Sequence, residues 1–178
     1  MKRSHPIALA ALAALLPTQL QAQVAKPCIT EREVAQMTIY AVPALVEGVR
    51  GKCGPKLSKS GFLATRGSDF AARYAALKDE TWPAAKAGVL KIVGGQNARD
   101  KATIATFASL PDDSVRPLVD AMIAQQIGAS IKPEQCGQVE RGLQLASVMN
   151  PRDSGALIAF VMAMAKPKNP AICPTPPQ

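Results

Sequence analysis

Apolar residues recur along most of the chain at helical spacing, and almost nowhere with the strict alternation of a strand. Thr30 precedes Glu31, Arg32 and Glu33, which predicts a capping box at a helix start. Val34, Met37, Ala41, Leu45 and Val49 follow on one face, and Gly51 and Gly54 close that helix. Residues 50–68 read as a loop with little regular structure, from which Phe62 and Leu63 tuck into the core. Ser68 is placed to cap a second helix, with a stripe of Phe70, Tyr74, Leu77, Thr81, Ala85, Val89 and Ile92 running to Gly94-Gly95. Pro83 interrupts the stripe and biases Trp82 away from helical dihedrals, so the segment is one kinked helix or two joined ones. Asn97 caps the next helix, which carries Ile104, Phe107 and Leu110 up to a Pro111-Asp112-Asp113 turn.

The clearest amphipathic pattern follows. Val115, Leu118, Val119, Met122, Ile123 and Ile127 form one apolar stripe, with Pro117 read into the first turn, where a missing N–H costs little. Pro133 opens another helix, with Cys136, Val139, Leu143 and Ala146 inward. Asn150-Pro151 combines a turn and a cap. Gly155 to Ala165 are eleven uninterrupted apolar residues, the pattern of a buried helix. They are too few for a bilayer span, which takes about 20 residues. Five of the 15 prolines lie in 167–178, so the chain ends as an extended tail. No repeat of 20–50 residues is present, which leaves a solenoid unsupported. The prediction is an all-α fold: one compact bundle of five to seven short helices over residues 23–166, stapled by two disulfides, with a Pro-rich tail.

The first 22 residues have a different purpose. Lys2 and Arg3 precede a ten-residue apolar run, Ile7 to Leu16, which Pro17 breaks, and Leu20-Gln21-Ala22 ends on a small residue. That is the layout of a cleaved secretory signal peptide, and it predicts a periplasmic or secreted protein with no transmembrane span in the mature form. Lys2, Arg3 and His5 leave with the leader, so 21 basic residues become 19 against 13 acids, a net of +6, and no histidine remains. Ser-His-Asp and Cys-His catalysis, histidine zinc sites and histidine-ligated haem are thereby excluded.

Cys28, Cys53, Cys136 and Cys173 remain after cleavage, at spacings unlike a zinc knuckle or a redox Cys-x-x-Cys site. In an oxidising compartment they predict two bridges. Residues 31–51 read as one helical run with Cys28 and Cys53 beyond its opposite ends, roughly 30 Å apart at 1.5 Å per residue. A disulfide needs α-carbons within about 7 Å. Cys28–Cys53 is therefore disfavoured, and Cys136–Cys173 with it. Cys53–Cys136 with Cys28–Cys173 is preferred over Cys28–Cys136 with Cys53–Cys173.

Some of these landmarks form a familiar series: Cys28, a helix, Cys53-Gly-Pro-Lys-Leu57, Gly61-Phe62-Leu63, Trp82, Leu110-Pro-Asp, Lys132-Pro-Glu-Gln-Cys136 and a final cysteine. The series resembles small exported helical proteins of Gram-negative bacteria. The resemblance implies no activity, cofactor or catalytic residue.

Candidate chemistry is sparse. There is no Gly-x-Ser-x-Gly elbow, phosphate-binding glycine loop or Cys-x-x-Cys-His haem motif. Asp79-Glu80 and Asp112-Asp113 lie where helices begin or break, and capping accounts for them. Ser58-Lys59-Ser60 and Ser130-Ile131-Lys132 set serine beside lysine, but in segments that read as exposed, where the lysine stays charged. Met37, Met122, Met149, Met162 and Met164 fall on apolar stripes as core fillers rather than copper ligands. The most unusual polar feature is a run of cations without an acid: Arg50, Lys52, Lys56, Lys59 and Arg66. These suit a solvated loop or an anionic envelope surface or acidic protein. Nucleic acid is not expected, since only 4% of residues are aromatic and stacking platforms are scarce. The expectation is an exported, non-catalytic binding or structural protein of the cell envelope, with no cofactor and no metal. The alternatives are an envelope hydrolase using carboxylates or a Ser-Lys pair, and a carrier of a small apolar ligand, which a buried apolar pocket would favour.

Overall fold

The computed structural model describes residues 28–96, 101–168 and 170–174. Among these, eight α-helices are present: α1 (Glu31–Cys53), α2 (Phe62–Thr65), α3 (Gly67–Ala75), α4 (Lys78–Gln96), α5 (Lys101–Ser109), α6 (Asp112–Ser130), α7 (Cys136–Ala146) and α8 (Pro151–Ala165). The fold is all-α and compact, with two disulfides. The leader expected over residues 1–22 and the Asn97 cap lie outside the described residues.

The 23-residue helix α1 is the axis of the domain, and α3, α4, α6 and α8 pack around it. Its start has the expected capping box: the Glu33 amide donates to Thr30 Oγ1 at 3.1 Å, and the Thr30 amide donates to Glu33 Oε2 at 2.9 Å. Pro43 lies within α1 and does not end it. Two close helix contacts depend on glycine. A β-carbon on Gly48 would stand 2.3 Å from the carbonyl oxygen of Ala124 in α6, and one on Gly155 of α8 would stand 2.8 Å from the Ala35 carbonyl oxygen in α1. Both distances are well inside van der Waals contact, so the backbones approach as closely as they do only because these side chains are missing.

Three apolar clusters lie along α1. One end packs Val46, Val49 and Cys53 against Phe62, Leu63, Phe70, Tyr74 and Cys136. The middle packs Tyr40 against Trp82, Ala85, Val115 and Val119. The start packs Ile29 and Val34 against Ala159. A disulfide borders each outer cluster: Cys53–Cys136 at one end and Cys28–Cys173 at the other. The second holds the tail, since the Ile29 amide donates to the Ala171 carbonyl and the Cys173 amide to the Ile29 carbonyl, both at 2.9 Å.

Several local expectations need correction. The 50–68 segment is not a structureless loop: α1 extends to Cys53, a 3₁₀ turn spans Gly54–Lys56, and the single-turn α2 carries the buried Phe62 and Leu63. Glu140 of α7 accepts the Leu63 amide at 2.9 Å and so holds the start of that turn. Ser68 lies inside α3 rather than capping it. The chain breaks at Ala76 and Leu77, not at Pro83, and Trp82 is helical. Pro83 lies on the exposed side of α4, where the carbonyl it leaves unpaired can meet solvent. Pro117 falls in the second turn of α6, not the first. Among α8 residues only Gly155 and Ala159 are buried, so that helix is not apolar on all sides because it is enclosed.

Candidate ligand-binding groove

A wide departure from close packing lies between α1, α4, α5 and α6. There the helices leave a cavity of about 700 Å³. Met37, Tyr40 and Ala41 of α1 form its floor. Ala85, Val89, Leu90 and Ile92 of α4 make one wall, and Ile104 and Phe107 of α5 another. Leu118, Val119, Met122, Ile123, Gln126 and Ile127 of α6 make the third. Leu118 and Met122 are 51% and 59% exposed, so the cavity opens to solvent as a groove along α6. The size is within the roughly 300–1,000 Å³ of small-molecule sites, and the lining is almost wholly apolar.

The stripe on α6 explains the opening. At 3.6 residues per turn its apolar positions cover an arc of roughly 180°. The middle of the arc, Val115 and Val119, is sealed against Tyr40 and Trp82 in the core. One edge, Leu118 and Met122, has no helix over it among the described residues. Met122, read from the sequence as core filler, is thus a rim residue, and Met164 is likewise exposed.

Polar groups in the groove are few. Tyr40 and Gln126 are the lining side chains with hydrogen-bonding atoms. Burial, together with the nearby Asp120 carboxylate, raises the Tyr40 hydroxyl well above its ordinary pKa, so it stays a neutral donor. That hydroxyl and Asp120 Oδ1 are both buried beside each other. Next to the groove, ion pairs tie α4 to α6: Lys78 to Asp120, Arg116 to Asp79, and Lys86 to Asp112 at 2.8 Å. The Lys86 ammonium holds the Asp112 carboxyl below its usual range. Arg116 and Lys78 also lie over the rings of Trp82 and Tyr40.

No protein-family model, curated protein or solved structure matches this chain. The resemblance to small exported helical proteins therefore rests only on the residues that suggest it.

Three of the four carboxylates weighed for chemistry, Asp79, Glu80 and Asp112, face cations rather than each other. Glu80 pairs with Arg152 at 2.7 Å, and Asp79 and Asp112 are paired as above. The candidate serines do not bond their neighbouring lysines. Ser58 and Ser60 share a hydrogen bond at 2.9 Å, and Ser130 donates to the Ile127 carbonyl at 2.9 Å. Among the described residues no group of three or more His, Cys, Asp or Glu could hold a metal.

The five-cation segment is spread over several local settings. Arg50 donates to the Leu63 carbonyl at 3.0 Å and to Ser68 Oγ at 2.8 Å, which straps α1 to α2 and α3. It shares a shallow hollow of about 310 Å³ with Lys59. Lys52 lies alongside Gly128 of α6. Arg66 stacks over the Phe62 ring at 5.3 Å, and Lys56 projects from the 3₁₀ turn. The groove itself was hidden in the sequence because each of its walls reads as an ordinary core stripe. The width of the α6 arc was the available signal.

Proposed function

We propose that this is an exported, non-catalytic binding protein of the cell envelope that carries an elongated apolar ligand in the α1–α4–α5–α6 groove. The apolar lining of a 700 Å³ groove is the observation that carries this reading. Of the functions open to the sequence, carriage of an apolar molecule is the one that such a groove favours. The Tyr40 hydroxyl is buried beside Asp120, which leaves Gln126 as the polar side chain of the lining, so the groove suits a ligand that is mostly hydrocarbon. The engagement of Asp79, Glu80 and Asp112 in ion pairs supports a non-catalytic role. Two disulfides and the leader pattern of residues 1–22 support export.

The test is binding of a naphthylamine probe and its displacement by long-chain fatty acids. Leu118→Glu and Met122→Lys place a charge on the exposed rim, where folding tolerates it, and should weaken binding about tenfold, equal to about 1.4 kcal/mol. Saturable binding lost in both variants supports the groove. No saturable binding to the parent, or equal binding in parent and variants, overturns it.

A further inference from the structure

Helix α8 is built inside out. The face it turns to α1 carries Gly155 and Ala159, while Leu157, Ile158, Phe160, Val161 and Met164 are 44–60% exposed. At 3.6 residues per turn these five side chains occupy one arc of roughly 160° on the solvent side. None of them lines the groove. Together they expose on the order of 500 Å² of apolar surface, the size of the largest patch on a typical monomer and one that is often functional.

The structure carries two clues to what covers this face. The stripe offers only carbon and one thioether sulfur, whereas a protein interface carries about one hydrogen bond per 100–200 Å². Its C-terminal end is positive: Lys166 and Lys168 are both exposed and take part in none of the ion pairs. An apolar stripe beside cations matches a bilayer interface, where side chains enter the acyl boundary and lysines meet anionic headgroups. Among the described residues no helix is long and apolar enough to cross a membrane, so the contact would be one of lying on the surface.

We infer that α8 is a peripheral docking surface for an anionic lipid bilayer, with Leu157, Phe160, Val161 and Met164 inserted and Lys166 and Lys168 at the headgroups. This surface is separate from the groove, and its test does not depend on the groove's ligand.

The experiment is vesicle flotation with the chain expressed with its own leader and purified with both disulfides formed. The probes are phosphatidylcholine vesicles, with and without phosphatidylglycerol. The parent should float with the phosphatidylglycerol vesicles. Phe160→Ser with Met164→Ser should reduce binding at least about tenfold. Lys166→Gln with Lys168→Gln should reduce it toward the level on neutral vesicles. Thermal melts establish that both double variants fold, as substitution of exposed side chains should allow. A Phe160→Trp variant supplies a second readout. Its emission should shift to the blue on vesicles, while that of the parent, whose Trp82 is 1% exposed, should not. The inference is overturned if the parent does not float, or if the Phe160/Met164 variant floats like the parent. It is also overturned if only Lys56→Ser, Lys59→Ser and Arg66→Ser abolish binding, or if the face instead pairs two copies as an isolated dimer.

Discussion

Gly48 and Gly51 lie three residues apart on α1, and replacing each with alanine should move stability in opposite directions. A β-carbon at Gly48 would meet the Ala124 carbonyl oxygen at 2.3 Å and the Ala124 α-carbon at 3.0 Å. Both atoms are backbone, so relief requires α1 and α6 to separate by about 1 Å in a close-packed interior. Overpacking of this kind costs about 1–3 kcal/mol, and alanine returns about 1 kcal/mol of helix propensity. With rigid atoms as the obstacle, the cost should sit at the upper end and leave a net loss of about 2 kcal/mol. At Gly51 nothing lies within 4 Å, so alanine should stabilise by about 0.5–1 kcal/mol. For a domain of this length that corresponds to roughly 4–8 °C lower Tm for Gly48→Ala and 1–4 °C higher for Gly51→Ala. Thermal melts of the disulfide-intact proteins measure both. Because α6 also carries Leu118 and Met122, Gly48→Ala should weaken apolar-probe binding below the melting range, and Gly51→Ala should not. A Gly48→Ala protein that melts at or above the parent would refute the close contact between α1 and α6.

Four further outcomes follow from other contacts. Glu33→Gln keeps an oxygen to accept the Thr30 amide but removes the charge that holds Lys91 of α4 at 2.7 Å, and should cost about 1 kcal/mol in a denaturant titration. Burial pushes the Glu33 carboxyl up, but its bonds to Lys91 and Thr30 outweigh burial and hold it below 4.5; its contribution is therefore present above that value and lost as pH falls through the lower folded one, so Glu33→Gln should flatten the acid limb of Tm against pH. Cys28→Ser with Cys173→Ser opens a bridge spanning 145 residues and should cost about 2–5 kcal/mol, while probe affinity measured well below the Tm stays at the parent value. Mass spectrometry of the exported protein should find its first residue at or near Gln23, and an intact Met1 would refute cleavage.

Features set by neighbouring residues were legible in the chain. The Thr30–Glu33 box and the Asn150 cap before Pro151 follow from local hydrogen-bond chemistry and are present. Helix length keeps Cys28 from Cys53, and the observed bridges, Cys28–Cys173 and Cys53–Cys136, are the preferred one of the two pairings that this argument leaves open. Features set by a partner helix were not legible. Pro83 does not break α4, because it lies on the exposed side, where the unpaired Asp79 carbonyl can meet solvent, and the break falls upstream, at the end of α3. Eleven apolar residues in α8 suggested enclosure, but Gly155 and Ala159 let one face sit against α1, and among the described residues no other helix covers the rest. The arcs on α6 and α8 are each wider than one neighbour can seal. A stripe in sequence records which residues avoid water in isolation, and it does not record how many helices arrive to cover them.

Stability and exposure are separated in space in this domain. The tightest elements act on α1: glycine contacts at Gly48 and Gly155, and a disulfide at each end. The residues left exposed, Leu118 and Met122 on α6 and Phe160 and Met164 on α8, lie on helices already anchored through their other faces. Their burial is therefore not required to hold the helices in place, and polar replacements there should cost little stability. Selection for folding alone would let such positions drift toward polar residues, because exposed apolar patches promote association. Their apolar character on two separate helices, one beside a groove and one beside free lysines, is what a role in contacting apolar matter would maintain.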